Sequence, residues 1–176
     1  SMSDIELKGD LRLRVQNEKM ESGVNRSRNR LRFRLGGESA ISDKSKVSFG
    51  VATGGTDARS TNQTLQDSFQ TPDLRLDYAY LTHKLSDKLT VTAGKMKNPL
   101  WTPTDLLWDS DINPDGLAVN YKSSVGIFNG GVTVAYFGLD ELAANTNDPS
   151  LVTVQKTVNW KVNKNTQANT AVTYYS

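Results

Sequence analysis

The chain has no cysteine. That excludes a disulfide framework, a thiolate nucleophile and a Cys-ligated zinc site, and it fits an envelope protein. Histidine occurs once, at His83 beside a turn, so no second imidazole stands at a metal-ligand spacing. No Ser/His/Asp set, phosphate-binding loop or dinucleotide motif is present, so no covalent chemistry and no cofactor are expected. Long apolar runs are missing as well. Hydrophobic residues make up 36% of the chain and the mean hydropathy is −0.52. No run reaches the ~18 residues of a transmembrane helix. A membrane barrel stays open, because its strands alternate and carry a weak hydropathy signal. No signal peptide is present; Ser1-Met2 reads as a cloning remnant, and a leader removed upstream is expected.

What is there begins with arginine. Every even position from Arg26 to Arg34 is arginine, while Leu31, Phe33 and Leu35 take odd positions. A period of two is a β-strand, because successive side chains leave opposite faces of the pleat. One face is apolar and the other cationic. In a soluble sandwich the apolar face packs on a second sheet and the arginines meet water. In an outer-membrane barrel the apolar face meets lipid and the arginines meet a water-filled lumen. Arginine facing lipid near the midplane would cost roughly 2–4 kcal/mol each, so in a barrel the ladder points inward.

The same alternation recurs along the chain. Ile5 to Val15 is a strand with Leu7, Leu11 and Leu13 on one side and Arg12 and Arg14 on the other. Ser42-Asp43-Lys44 turns the ladder strand, which runs to Ala40, into a strand over 47–53. A polar loop over 54–72 carries no strand pattern. Leu74, Leu76, Tyr78 and Tyr80 then alternate with Arg75, Asp77, Ala79 and Leu81, and Ser86-Asp87-Lys88 repeats the earlier turn. Further strands are expected over 89–93, 117–122, 132–139, 152–162 and from Ala168, with a Gly-rich turn over 126–131 and a tight turn at Asn163-Lys164-Asn165. That makes about nine strands in a single domain over 1–176. Short turns alternating with long loops suit an up-and-down membrane barrel better than Greek-key crossings.

Residues 96–116 stand apart. They hold Trp101 and Trp108, three prolines, and Asp105, Asp109, Asp111 and Asp115. Thr104 is placed to cap a short helical turn through Trp108. So apolar a segment folds against something, and a barrel interior is available. Asp111-Ile112-Asn113-Pro114-Asp115-Gly116 matches the opening of an EF-hand loop, making Asp111, Asn113 and Asp115 a weak Ca²⁺ candidate. Position twelve of that loop is Lys122 rather than glutamate, and the flanks read as strand.

Gly9-Asp10-Leu11-Arg12-Leu13-Arg14, Arg30-Leu31-Arg32-Phe33-Arg34-Leu35, Ala52-Thr53-Gly54-Gly55, Ser60-Thr61-Asn62-Gln63-Thr64-Leu65, Leu74-Arg75-Leu76-Asp77-Tyr78-Ala79-Tyr80 and Gly94-Lys95-Met96-Lys97-Asn98-Pro99-Leu100-Trp101 through Asp105-Leu106-Leu107-Trp108-Asp109-Ser110-Asp111 carry a resemblance. The chain resembles the N-terminal part of bacterial outer-membrane porins of the "putative porin" family, over about residues 9–120, with the remainder alike only in strand pattern. The resemblance implies an all-β transmembrane barrel of about sixteen strands, of which this chain is roughly half, monomeric or trimeric. It implies that residues 96–116 fold into the pore as a constriction. Arg12, Arg14, Arg28, Arg30, Arg32, Arg34, Lys46 and Arg75 would then line a lumen opposite Trp101, Asp105, Trp108, Asp109, Asp111 and Asp115. Outer-membrane lipid and small hydrophilic solutes or ions are the expected partners, and nucleic acid is not, because the arginines lack an aromatic platform on their own face. Two other readings remain: a soluble or surface β-sandwich binding carbohydrate or protein, and a small eight-stranded outer-membrane barrel with an adhesive or structural role.

Overall fold

A computed structural model describes residues 4–19, 21, 23, 25–65, 69, 71–104, 107–140 and 148–176. Ten strands form one antiparallel sheet: β1 (Glu6–Glu18), β2 (Arg26–Ala40), β3 (Ser45–Thr53), β4 (Gln63–Leu65), β5 (Leu74–Lys84), β6 (Leu89–Lys95), β7 (Asp115–Val125), β8 (Phe128–Gly138), β9 (Ser150–Lys161) and β10 (Gln167–Tyr175). Nine of them follow chain order as a meander, and β4 pairs with β2 alone. β1 and β10 are the two ends of the sheet, which does not close.

The meander follows from turn chemistry. Ile41 N–H donates to Ser45 O at 2.9 Å, and Ser42 Oγ accepts from the amides of Lys44 and Ser45 at 3.3 and 3.1 Å. The second Ser-Asp-Lys turn repeats this bond for bond: Leu85 N–H to Leu89 O at 2.9 Å, with Ser86 Oγ taking Lys88 and Leu89 at 3.3 and 3.1 Å. At the third turn Val162 N–H meets Thr166 O at 2.9 Å, and the Asn163 carboxamide oxygen replaces the serine hydroxyl. A short side chain that mimics a backbone acceptor closes each turn. The fourth turn is only Gly126-Ile127; Gly130 and Gly131, expected within a glycine-rich turn, belong to β8.

Three departures from the expected pattern have physical causes. β2 overhangs β3, which pairs only with Arg34–Ala40, so the upper part of β2 is left with free backbone groups. Gln63–Leu65 supplies partners for Asn29–Leu31, which puts a strand inside the loop over 54–72 and brings the number to ten. In β5 the register slips between Gly50 and Val51: Gly50 faces Tyr78 while Val51 faces Leu76, leaving Asp77 as the extra residue of a bulge. Leu74 and Leu76 therefore share a face with Ala79 and Leu81, and not with Tyr78 and Tyr80. No helix is present among the described residues, and the turn expected after Thr104 runs into residues 105–106, outside them.

Burial is inverted relative to a water-soluble sandwich. One row across the sheet reads Val91, Val119, Val134, Val154 and Tyr174. The adjacent row on the other face reads Thr90, Asn120, Thr133, Gln155 and Thr173. The apolar face is open: Leu13 is 73% exposed, Val172 73% and Val15 70%. Lys156 interrupts that band between Val132 and Val172. The polar face is covered, with Thr153 at 0% and Gln155 at 2%. The cover is the segment over 96–114, whose Met96 and Leu100 pack with Ala118, Ala135 and Phe137, flanked by Tyr80, Trp108 and Leu151. The covered face is called inner below.

Candidate inner-wall site

The long segment is framed by two glycines. Gly94 and Gly116 face each other across β6 and β7 with φ of +116° and +153°, where a side chain is strained. Met96 N–H donates to Pro114 O at 2.8 Å, which closes the base of the loop. Gln155 then anchors it. Its Oε1 accepts from Trp101 N–H at 2.7 Å, while its Nε2 donates to Trp101 O at 2.9 Å and to Thr173 Oγ1 at 2.9 Å. Trp108 stands edge-on to Phe137 at 6.2 Å and donates from Nε1 to the Tyr175 hydroxyl at 3.2 Å.

Asp111 ties the loop to its neighbours. One carboxylate oxygen accepts from Thr61 N–H and Oγ1, both at 3.2 Å, and the other pairs with Arg34 at 3.5 Å. Asp109 accepts from Asp111 N–H at 2.8 Å within its own turn. Asp115 pairs with Lys95 at 3.2 Å, away from the arginines. Asp105 lies outside the described residues. Of the acidic residues described on the segment, Asp111 is thus the one that touches the ladder.

The calcium candidate meets a different arrangement. Asp111 and Asp115 are engaged as above, and Asn113 Nδ2 donates to Asp77 O at 3.1 Å. Among the described residues no three His, Cys, Asp or Glu side chains gather closely enough to hold a metal ion.

The ladder itself lies on the inner face of β1 and β2. The pairing sets Asp10 opposite Arg34, Arg12 opposite Arg32, Arg14 opposite Arg30 and Gln16 opposite Arg28. Asp10 pairs with Arg32 at 2.9 Å and Arg34 at 2.7 Å, and Glu18 with Arg28 at 2.5 Å. Lys46, beside the first turn, pairs with Glu38 at 2.7 Å. Arg75 donates to the carbonyls of Gly55 and Asp57 at 2.6 and 2.7 Å and lies 3.8 Å from Asp77, whereas Asp73 is exposed. Lys97 lies over the Tyr78 ring at 4.2 Å and 3.9 Å from Asp77. Burial holds its ammonium below the usual lysine range, against the pull of Asp77. A cavity of about 360 Å³ opens where the loop at 54–58 meets Arg75, Asp77, Lys95 and Asn113. His83 is half-buried at the turn end of β5 and shares a 2.8 Å hydrogen bond with Ser45, so it has a structural partner.

Asp10, Asn62 and Gln155 are not marked as site residues by the sequence, whereas Asp77, flanking Arg75, is legible as its partner. The signal available for Gln155 was a polar residue at an inner position of a valine-rich strand. Asn62 is placed only by the pairing of β4, which no alternation announces.

An open antiparallel meander, apolar on one face and polar on the other, with a long loop laid across the polar face, fits a porin-like β-barrel. The chain belongs to the family described as "Putative porin", which matches residues 20–176. The match therefore runs well beyond residue 120, to the last strand. No curated protein matches the chain.

Proposed function

We propose that this chain forms a sector of the wall of a bacterial outer-membrane porin for passive diffusion of small hydrophilic solutes and ions. The observation that carries the reading is the inverted burial: leucines and valines such as Leu13, Val15, Val134 and Val172 open to the outside, and Thr133, Thr153 and Gln155 covered within. A bilayer matches the first and a hydrated lumen the second. Arg12, Arg14, Arg28, Arg30, Arg32, Arg34, Lys46 and Arg75 line the inner wall, and the segment over 96–116 narrows the passage. Its Trp101, Trp108, Asp109 and Asp111 set an acidic and aromatic rim against the basic one. Such a transverse field orients dipolar solutes and filters ions. A wide pore takes about sixteen strands, so further strands meet the edges at β1 and β10. Family membership favours an outer-membrane location.

Light scattering with and without detergent tests the reading. Aggregation in plain buffer with a monodisperse species in micelles is the expected result, followed by ohmic steps in a planar bilayer. A monodisperse species in plain buffer overturns it and favours a soluble binding module, because the apolar rows would then be buried against protein.

A further inference from the structure

Charge on the inner face of β1 and β2 does not balance among the described residues. Asp10 and Glu18 serve Arg28, Arg32 and Arg34. Arg12, Arg14 and Arg30 have no carboxylate partner there. Arg12 donates from Nη2 to the Asn62 carboxamide oxygen. Arg30 donates to the Asn62 carbonyl at 3.4 Å and to Gln16 Oε1 at 3.5 Å. Both guanidiniums therefore turn toward Asn62. Arg14 is directly across from Arg30, and Arg12 across from Arg32, which sets like charges face to face. The Nε atoms of Arg12, Arg28 and Arg30 are shielded from water and have no acceptor. Opposed like charges are costly, and an anion held by the guanidinium Nη groups relieves them.

We infer that Arg12, Arg14 and Arg30, floored by Asn62 and Gln16, bind a phosphate or a phosphate-bearing solute. The guanidinium is a planar fork whose paired donors match two oxygens of one tetrahedral anion, a fit that a spherical chloride cannot exploit. The contacts now made to Asn62 O and Gln16 are long and neutral, so a charged acceptor displaces them readily. A lipid phosphate is the less suitable source: Leu11, Leu13, Val15 and Leu31 occupy the opposite face of the same strands. The inference rests on this face being the hydrated wall of the proposed pore.

The test is calorimetry of the full chain in neutral, lipid-free detergent micelles. Inorganic phosphate is titrated at constant ionic strength, with chloride as the comparison. Saturable phosphate binding is expected. Arg14→Gln and Arg30→Gln each weaken it by roughly tenfold, the worth of one charge-assisted pair. Arg30→Lys keeps the charge but loses the fork, and binds more weakly than the parent while retaining the parent circular dichroism. Lys164→Gln, in the third turn, leaves binding unchanged. Equal heats for chloride and phosphate, or equal affinity in the arginine variants, overturn the inference. A bilayer current indifferent to phosphate fails the inference and leaves the pore. Phosphate binding without any current fails the pore and leaves the site.

Discussion

Gln155 does at one position what a whole layer of side chains does in a soluble core. Its carboxamide matches both the N–H and the C=O of Trp101 and holds a long loop onto the sheet. Gln155→Ala removes both partners at once, and an unmet buried polar group costs about 1–3 kcal/mol. Denaturant unfolding in micelles is expected to show a loss of that size, and acrylamide to quench tryptophan emission more strongly. Asp57 gives a residue-scale prediction of a different kind. The Arg59 guanidinium and the Arg59 backbone N–H hold its carboxyl below the usual carboxylate range. A depressed carboxyl contributes its stabilisation above the unfolded value of about 3.9 and loses it as pH falls through the lower folded value. Carbon NMR of the side-chain carboxyl is therefore expected to titrate below that value, and Arg59→Ala to move the midpoint up.

At the scale of the element, β3 and β5 depend on space reserved for Tyr78. A Cβ on Gly50 would lie 2.3 Å from the Tyr78 ring, and one on Gly36 would lie 2.1 Å from its hydroxyl. Gly50→Val is expected to displace the ring from beneath Lys97 and to lower stability by about 1–3 kcal/mol, read from the unfolding midpoint. The elements also show what a sequence can and cannot declare. Alternation exposed β1, β2 and β3 because each keeps one phase from end to end. The serine-led turns were legible because the acceptor that closes them is in the sequence itself. β5 was legible as a strand but not as two half-strands of opposite phase, since apolar residues occupy both parities across 74–81. β4 was invisible because three residues carry no period, and the overhang of β2 that recruits them is a tertiary fact. The ladder could be read as one face. Its division into arginines with carboxylate partners and arginines without depends on which residues sit across the strand pair, and no spacing along the chain encodes that.

For the whole molecule the decisive property is which side of the sheet meets which solvent. Val134 lies mid-row on the outer face, between Val119 and Val154. Val134→Arg is expected to destabilise the bilayer-inserted chain by roughly 2–4 kcal/mol if the row lies near the midplane. Thr133→Arg, one residue along but facing inward, is expected to cost less in insertion and instead to disturb the Asn120 contact at 2.7 Å. Comparing urea unfolding of the two variants from liposomes checks the orientation of the entire sheet. Equal costs would mean that the two faces are not divided between lipid and water. The unpaired edges at β1 and β10 add a second expectation at this scale, because exposed ladders template further pairing. Outside a membrane the chain is expected to self-associate through those edges, giving thioflavin-positive material that detergent suppresses.

The bulge at Asp77 adds a charge to this face without a change of phase. With that residue struck out, Leu74-Arg75-Leu76-Tyr78-Ala79-Tyr80-Leu81 spells an unbroken outward–inward rhythm. Asp77 is therefore the one extra residue of an otherwise alternating strand, and it brings a carboxylate to Arg75 and Lys97 without changing the face that any neighbour takes. Deleting Asp77 is expected to remove an electrostatic group while leaving the alternation of the strand intact on either side, so the variant keeps the parent circular dichroism.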